Sequence, residues 1–587
     1  MERARRSWSY AILKRLFLRQ FLENDLISPD ADRSQMLAVV GSMAISLTLF
    51  ISVFRSANYV MVVYTPSQAA MAALDDRFFY LAFAMIVSAL VAASQWDALA
   101  IDTRDATILE PLPVKADTIR RAKLAAVAML GAAVAIAINI FPSLVFPWML
   151  LFNLRELSGF TLFGLNLTHA AFSFAAAVYG YLLVIALREI TVLLLGVRWF
   201  SRVSPWLQGA LIVMLGSALL LLTPVAQRVG QRGFAGWIGM TPPAWFVGVY
   251  EIAVGGVIAD LPSPENLPRR RAESDGRNAD WYRERRQEFP TLRQRAFQAV
   301  VWTLAVTLAA YLWNARRMPA LAPAPPPAFR RGWRLGRRIA NAWIVRDAAA
   351  RAGFHFTIAA LWRSNTHRLT LACALAAGFA MAVLALSRAE VQAGGEASAR
   401  LLAMQPLLYG ALLVGFRHVI RVPAELRANW GFQLAWRNRE RAFLSGVKRA
   451  ALAALVAPAL LVLLPLFVYV LGPTLALVHA ALGLTGAIVM LEALLVTYDK
   501  VPFTCTYVPS ENMKAMGAVY AFAFVIGATL FARMQKDLLD GTDIIGPLAT
   551  LVVLYAILRV MSATRVRPPY VRFDEAPASF QRLGLDT

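Results

Sequence analysis

Residues 450–471 read AALAALVAPALLVLLPLFVYVL, a run without a single charged side chain. Because an α-helix rises about 1.5 Å per residue, about 20 apolar residues are enough to cross the hydrocarbon core of a bilayer. The whole chain has the same character, since 58% of its 587 residues are hydrophobic and only 16% are charged, whereas soluble domains average about 45–50% and about 25%. The mean hydropathy is +0.54. We therefore expect an integral membrane protein.

Eleven further stretches are apolar and close to spanning length, so about twelve transmembrane helices are predicted. That number excludes a single-pass anchor. The predicted fold class is an all-α integral membrane protein. Besides residues 450–471, the predicted spans are residues 36–54, 78–95, 123–151, 168–187, 205–225, 296–313, 369–387, 402–416, 474–496, 516–532 and 545–560.

Lys and Arg are unevenly distributed among the segments between the predicted spans. The segments after the second, sixth and eighth spans are rich in basic residues, mostly Arg, and those after the third and seventh are nearly free of them. Since short cytoplasmic loops collect Lys and Arg, this pattern predicts that both termini are cytoplasmic. The net charge of +23, from 59 Lys and Arg against 36 Asp and Glu, suits an anionic membrane surface and is not by itself a sign of nucleic-acid binding.

One basic segment, residues 226–295, is predicted to be a long external loop. The positive-inside rule counts short loops, and this one is long enough to be exempt. Within it, residues 242–251 read PPAWFVGVYE and are followed by Gly255 and Gly256. This pattern favours a short re-entrant or interfacial helix, and an amphipathic helix docked on the outer surface is the alternative. A thirteenth span at residues 241–259 would place every later basic loop on the wrong side.

The chain has two halves that are alike in the order of their parts. Residues 318–331 are rich in Pro and Ala, which predicts a stiff, extended linker. Before the linker, residues 1–317 form a six-helix half that begins with an N-terminal surface helix. After it, residues 332–587 form a second six-helix half, with a surface helix at residues 348–362. Because each half has an even number of spans, the duplication is parallel rather than inverted.

The sequence lacks the common signatures of an enzyme or an ATP-binding protein. It has no phosphate-binding G-x-x-x-x-G-K-[ST] loop and no nucleophile elbow, and its five His residues are scattered without a metal-ligand spacing. We therefore predict no catalytic and no metal-binding residues. Arg188, Glu189 and Glu492 lie near the ends of predicted spans, where their side chains can reach the interface, and Arg188 can neutralise its neighbour Glu189. No buried acidic cluster of the kind that a proton pump needs is predicted.

The segment between the second and third predicted spans, residues 96–123, has the most informative pattern. Thr107, or Asp105 before it, can cap a short helix that Pro111 and Pro113 stop, after which the chain continues into the third span. The predicted result is a short charged helix that projects into the cytoplasm. It carries acidic and basic side chains together, as a docking surface does.

This loop resembles the corresponding loop of ABC-2 type exporter permeases, in which an acidic residue and an Arg precede a Thr-hydrophobic-Leu-Glu motif and a Pro-Val pair. The matching residues are Asp102, Arg104, Thr107, Leu109, Glu110, Pro113, Val114, Ile119 and Lys123. In that family the loop forms a coupling helix that seats in a cleft of a separate ATPase subunit. The resemblance implies a partner-binding site formed by Asp102, Arg104, Thr107, Leu109, Glu110 and Pro113.

The resemblance also implies an overall role. The chain would be the transmembrane subunit of an ATP-driven exporter in the cell inner membrane, with its two ABC-2-like halves forming a pseudo-two-fold pore. A separate ABC ATPase, present in two copies, would bind ATP and Mg, so this chain would hold no cofactor and catalyse no reaction. Membrane lipid surrounds such a subunit, and the uniformly apolar spans suit an amphiphilic substrate.

The corresponding loop of the second half, residues 425–443, is aromatic and basic and lacks the Thr-Leu-Glu pattern. It is a candidate for a second cytoplasmic contact with the partner, and its aromatic residues are equally suited to anchoring in the lipid headgroup layer. A third loop, residues 498–509, is distinctive in composition, and no chemistry is assigned to it. The residues of the second cytoplasmic contact are Trp430, Trp436, Arg437 and Arg439.

Two other classes of protein are consistent with these features. An integral-membrane transferase acting on a lipid-linked sugar would use the basic outer residues 262–295, with Trp281 and Tyr282, to hold a phosphate. A secondary carrier with twelve helices is the other alternative. It is less favoured because carriers of that size usually contain inverted repeats within each half.

Overall fold

A computed structural model of the protein describes residues 9–18, 46, 48–96, 99, 109, 111, 114–150, 159–234, 236–254, 268–317, 333–387, 398–424, 429, 431–432, 439–496, 498, 500–505, 513–543 and 545–564. Within these residues the regular structure is helical throughout and includes no β-strand. Ten of the described helices are long and apolar enough to cross a membrane. The fold is therefore all-helical and compatible with a multi-pass membrane protein.

The ten candidate spans correspond one by one to ten of the twelve predicted stretches. Of the other two, residues 36–54 are described only at residue 46 and residues 48–54, which are helical. Residues 516–532 lie within the helix Met513–Leu539. The count of twelve stays a prediction, as does the division into two ABC-2-like halves.

The chain divides into two compact units. Unit 1 comprises Met1–Asn24 and Asp30–Pro326, and unit 2 comprises Asp25–Pro29 and Pro327–Thr587. The main boundary falls inside the Pro-rich segment 318–331, which lies outside the described residues.

Unit 1 is organised around one central helix, α4 (Pro66–Ser94), which is the most buried of its candidate spans. The next six helices along the chain pack against it. In chain order, the helices of unit 1 are α1 (9–18), α2 (48–56), α3 (Asn58–Met61), α4 (Pro66–Ser94), α5 (Ala116–Met149), α6 (Gly159–Gly196), α7 (Arg202–Leu220), α8 (Leu222–Arg232), α9 (Pro242–Val254), α10 (Arg269–Arg286) and α11 (Phe289–Arg317).

Local sequence signals set the ends of the central helices. Thr65 caps α4 because its side chain accepts a hydrogen bond from the Gln68 backbone N–H, and the Gln68 side chain accepts one from the Thr65 N–H. Gly196 ends α6 with a φ of 67°, a conformation that glycine adopts without steric cost. Gly180 brings α6 against α4 so closely that a Cβ there would collide with the backbone of Met85.

The described part of the predicted external segment, residues 226–295, is mostly helical and contains α8, α9 and α10. α9 covers the predicted re-entrant or interfacial segment, and its Ala244, Val247 and Tyr250 are buried. α10 was not predicted from the sequence because its residues are almost all polar. Ion pairs at three- and four-residue spacing, such as Arg269 with Glu273, stabilise such a helix without an apolar face.

Unit 2 is organised around α15 (Ala399–Val419), which is its most buried candidate span. Two π-helical turns, Ala340–Ile344 and Leu452–Val456, interrupt its helices. In chain order the helices are α12 (Trp333–Ile339), α13 (Ala348–Arg363), α14 (Asn365–Ser387), α15 (Ala399–Val419), α16 (Glu440–Ala451), α17 (Ala457–Leu471), α18 (Pro473–Leu495), α19 (Met513–Leu539) and α20 (Ile545–Thr564).

The predicted surface helix at residues 348–362 is α13, and it packs tightly on α16. Two glycines permit the close approach: a Cβ on Gly353 would collide with the backbone oxygen of Phe443, and a Cβ on Gly446 with that of Ala350. α13 is therefore held on a rigid neighbour rather than lying loosely on the molecule.

Candidate functional site

Most of the predicted partner-binding residues lie outside the described part of the chain. This applies to Asp102, Arg104, Thr107, Glu110 and Pro113, and in unit 2 to Trp430, Trp436 and Arg437. Leu109 is described and is a half-buried helical residue. Arg439 is described as well, and its Nη1 lies 3.3 Å from Asp347 Oδ2 in an exposed ion pair. The structure therefore describes the residues that hold the bases of the two loops, and most of the predicted contact surfaces lie outside the described residues.

The first loop leaves α4 through Trp96, whose side chain is fully buried. The indole Nε1 donates a hydrogen bond of 2.8 Å to Ser204 Oγ on α7, and the Trp96 carbonyl accepts one of 3.1 Å from Arg188 Nε on α6. One turn earlier, the Ala93 carbonyl accepts a hydrogen bond of 2.9 Å from Gln208 Nε2. The start of the loop is thus bonded to two other candidate spans.

A buried ion pair extends this contact to a third span. Arg188 Nη1 lies 2.6 Å from Glu189 Oε1, and Asn314 Nδ2 on α11 donates to Glu189 Oε2 at 2.8 Å and to its carbonyl at 3.0 Å. Only 7% of Arg188 and 6% of Glu189 is exposed. The expectation that Arg188 can neutralise its neighbour Glu189 is confirmed, and the pair is buried within unit 1. We name Trp96, Arg188, Glu189, Ser204 and Asn314 the loop-base network.

The second loop, which follows α15, is held by the segment 498–505. The Ile420 carbonyl accepts hydrogen bonds from Tyr498 OH at 2.9 Å and from the Phe503 N–H at 2.8 Å. The Phe503 carbonyl accepts one from the Ala424 N–H at 2.9 Å, and Asn429 Nδ2 donates to the Thr504 carbonyl at 2.7 Å. The described part of the distinctive third loop is therefore a clamp on the beginning of the second.

Phe503 occupies a strained position in this clamp. Its φ is 66°, a conformation that side-chain-bearing residues rarely adopt, and the residue is 1% exposed. The ring packs 5.1 Å from His367, whose Nε2 donates to the Val422 carbonyl at 3.0 Å. Contacts with α14 and with the second loop hold the strained backbone in place.

A second group of ionisable side chains lies at the other end of α4. Arg55 Nε lies 2.5 Å from Asp76 Oδ1, and its Nη2 lies 3.1 Å from Asp75 Oδ2. Tyr59 OH donates to Asp76 Oδ2 at 2.7 Å. Burial, and then the nearby Asp76 carboxylate, raise the pKa of Tyr59 well above its ordinary value, so Tyr59 stays a hydrogen-bond donor.

The adjacent Arg77 forms the most deeply buried ion pair among the described residues. Its Nη1 lies 2.6 Å from Glu251 Oε1 on α9, and the two side chains are 2% and 0% exposed. Tyr282 OH on α10 donates to Glu251 Oε2 at 2.7 Å. The guanidinium also lies 4.9 Å from the centre of the Tyr250 ring. We name Arg55, Asp75, Asp76, Arg77 and Glu251 the outer ion cluster, after the side on which the positive-inside pattern predicts this end of α4.

Two guanidinium groups face three carboxylates in the outer ion cluster. A carboxylate in excess is the kind of group that binds and releases a cation or proton in ion-coupled proteins. This cluster was not predicted from the sequence because Asp75, Asp76 and Arg77 immediately precede the predicted span 78–95. The signal was the single Glu251 within an otherwise apolar segment, since a lone acid in such a segment needs a partner.

The two aromatic residues named for the phosphate site of a transferase, Trp281 and Tyr282, make contacts within unit 1. Tyr282 is 3% exposed, and its hydroxyl is hydrogen-bonded to Glu251. Trp281 is half-buried and lies 5.5 Å from the Arg285 guanidinium. Among the described residues no group of three or more His, Cys, Asp or Glu is placed to hold a metal ion.

The fold and its buried networks define a class: an all-helical protein with ten described candidate spans, compatible with a multi-pass membrane protein. A scan against protein-family models, a search of curated proteins and a search of solved structures each found no match. The resemblance to ABC-2 permeases therefore rests on residues 102–123 and on the order of the helices.

Proposed function

We propose that this chain is the membrane-spanning subunit of an ATP-driven exporter, and that the loop between α4 and α5 receives a separate ATPase. The observation that supports this function is the loop-base network. Through buried hydrogen bonds of 2.6–3.1 Å, the first residue of the loop is joined to α6, α7 and α11. A loop whose base is bonded to three candidate spans is suited to passing displacement to them.

The physical requirement is stiffness. Coupling between distant sites needs packed elements that move as units, because a loosely attached loop would absorb the displacement. Trp96 supplies a large buried anchor, and the Arg188–Glu189 pair supplies charge-assisted bonds, which are stronger than neutral ones. The clamp on the second loop, formed by residues 498–505, gives unit 2 a similar stiff base.

The sequence indicates which of the two proteins would bind the nucleotide in this proposal. This chain carries no phosphate-binding loop, so the partner binds ATP and Mg. Asp102, Arg104, Thr107, Leu109, Glu110 and Pro113 form the principal contact in this proposal, and Trp430, Trp436, Arg437 and Arg439 form the second. The substrate class that best suits the apolar spans is amphiphilic, and the direction of transport is outward.

Charge reversal in the first loop tests the proposal. We expect Arg104→Glu and Glu110→Lys each to lower co-purification of the ATPase at least about fivefold, because each change places like charges across the contact. The full-length chain is affinity-purified from mildly solubilised native membranes, and the ATPase is identified by its phosphate-binding loop and by vanadate-sensitive ATP hydrolysis.

Arg121→Glu is the matched control. Arg121 lies on α5, is exposed and pairs with Asp117 at 2.8 Å, so the same charge change there is expected to leave co-purification unchanged. The exporter proposal is rejected if no ATP-hydrolysing partner accompanies the wild-type chain, or if both loop variants retain it fully.

The outer ion cluster supports a second candidate function, an ion-coupled secondary carrier. Its excess carboxylate would be the coupling group, with Asp76 bonded to both Arg55 and Tyr59. In that case the chain alone, in vesicles loaded with a pH-sensitive dye, would carry protons when a K⁺ diffusion potential is imposed. Asp76→Asn would abolish the flux and the exposed Asp280→Asn would not. Flux no greater than in empty vesicles rejects the carrier.

A further inference from the structure

A cationic cavity in unit 2 takes no part in the networks described above. It has a volume of about 490 Å³ and lies between α12, the π-helical turn after it, and α13. Pockets of about 300–1,000 Å³ hold small molecules. The cavity is therefore large enough for a headgroup, and its polar lining consists of Arg337, Asn341, Arg351, His355 and Arg363.

The spacing of residues on α13 explains the concentration of charge. Arg351, His355, Ala359 and Arg363 recur at four-residue intervals, so they lie on one face of the helix. Ala359 is small and leaves room between its neighbours. Arg337 adds a third guanidinium from α12, and no carboxylate is among the described residues that line the cavity. Such a site favours an anion.

The polar groups in the cavity are oriented by hydrogen bonds. Arg351 Nε donates to the Val345 carbonyl at 3.0 Å, and His355 Nε2 donates to Asn341 Oδ1 at 2.8 Å. His355 Nδ1 is buried and has no partner among the described residues. Burial, and then Arg337 and Arg351, lower the pKa of His355, so the ring is neutral at pH 7 and the three arginines supply the positive charge.

Neighbouring apolar side chains place the cavity at a membrane surface. Ile339 is 52% exposed and Trp343 is 81% exposed, and exposed Trp is typical of the membrane interface. Arg363 precedes the candidate span Thr366–Ser387 by only three residues. The positive-inside pattern predicts that this end of the span is cytoplasmic, where anionic lipids attract basic segments.

The frame of the cavity is rigid. Arg449 Nη1 on α16 donates to the Ile344 carbonyl at 2.6 Å, which fixes the end of the π-helical turn. The Gly353 and Gly446 contacts hold α13 against the same helix. A preformed site loses little conformational entropy on binding.

We propose that this cavity binds the phosphate of an anionic phospholipid, with Arg337, Arg351 and Arg363 holding the headgroup while Trp343 and Ile339 contact the acyl region. Phosphate is the shared chemistry of a lipid headgroup and a soluble anion, and the exposed apolar rim favours the lipid. This binding is independent of any ATPase.

The test is a lipid titration of the purified full-length chain in neutral detergent, followed by native mass spectrometry. The probes are phosphatidylglycerol, phosphatidylcholine and inorganic phosphate. We expect phosphatidylglycerol to bind about tenfold more tightly than phosphatidylcholine, and Arg337→Gln with Arg351→Gln to remove that preference, because each basic side chain contributes separately to attraction by anionic lipid.

Two further variants distinguish binding of the lipid in the cavity from attraction of the lipid by the overall positive charge of the chain. Arg338→Gln with Arg346→Gln removes the same charge from exposed neighbours that do not line the cavity, and we expect the preference to persist. Ala359→Leu keeps every charge and fills the cavity, and we expect it to abolish the preference. Thermal unfolding of each variant shows whether it is folded, which matters because Arg351 bonds to the backbone.

Three results would overturn the proposal. Unchanged preference in Ala359→Leu would show that the cavity is not the binding site. Equal loss in the Arg338/Arg346 control would show that only total charge matters. Displacement of phosphatidylglycerol by an equal concentration of inorganic phosphate would show that the site takes a soluble anion.

Discussion

Replacing Glu251 with Leu is expected to destabilise unit 1 by about 3–5 kcal/mol, since removing one partner of a buried ion pair leaves the other charge uncompensated. Arg77 and Glu251 side chains are 2% and 0% exposed, so water cannot replace the missing carboxylate. Tyr282 loses its acceptor at the same time. The free energy of unfolding of the purified chain, measured in detergent, is the quantity to compare.

A double substitution shows whether the loss comes from the unpaired charge. We expect Arg77→Met with Glu251→Leu to recover most of the stability, because replacing a buried pair by apolar residues of similar volume is often neutral. Glu273→Gln is the surface control, since Glu273 pairs with Arg269 on the exposed face of α10. Its expected effect is below about 0.5 kcal/mol. A single variant as stable as the wild type would contradict the burial argument.

The second large effect is expected at Arg188. Arg188→Met leaves Glu189 buried without its cation and frees the Trp96 carbonyl, so we expect a destabilisation of about 3–5 kcal/mol near the loop base. If the loop transmits force as proposed, Arg188→Met also weakens the coupling between nucleotide binding at the ATPase and the conformation of the outer side of this chain. We expect that coupling to fall about tenfold, which corresponds to about 1.4 kcal/mol of coupling free energy.

The effect of Arg188→Met on coupling can be measured without a transported substrate, by labelling an introduced thiol. Gly276→Cys on α10 provides a labelling site with open space around it, in a background in which Cys373 is replaced by Ser. The rate of thiol labelling is compared with and without ATP and vanadate, in vesicles containing the chain and its ATPase. We expect a nucleotide-dependent change in the wild type, and little change in Arg188→Met.

Arg202→Met is the matched control for this experiment. Arg202 lies at the start of α7, close in sequence to Ser204 of the loop-base network, but it is exposed and stacks 4.9 Å from the Trp199 ring. It is expected to retain the nucleotide-dependent labelling. Normal signalling in a folded Arg188→Met variant would remove the loop-base network from the mechanism.

The candidate spans were predictable because their signal is local. Runs such as residues 450–471 are long and apolar, and length with hydropathy is enough to identify a helix that can cross a bilayer. α10 was not predictable in this way, because a polar helix has no such signature. The burial of Arg188 and Glu189 was not predictable for a related reason: sequence shows that a charge lies near the end of a span, but not whether another helix covers it.

The outer ion cluster likewise combines residues that are neighbours in sequence with a partner that only the fold brings close. Asp75, Asp76 and Arg77 are adjacent in sequence, whereas Glu251 lies more than 170 residues away, and nothing local indicates that it pairs with Arg77. Likewise, the four-residue spacing of Arg351, His355 and Arg363 defines a basic helix face, but the cavity exists because α12 and its π-helical turn fold over that face.

The amino-acid order alone determined that this chain is helical, apolar and basic at particular turns, because these properties depend on neighbouring residues and on helical periodicity. Tertiary structure decided which charges are buried, which carboxylate meets which guanidinium, and that the loop after α4 is bonded at its base to three other helices. Those outcomes depend on the packing of residues far apart in the chain, where a shift of about one helical turn would replace every partner.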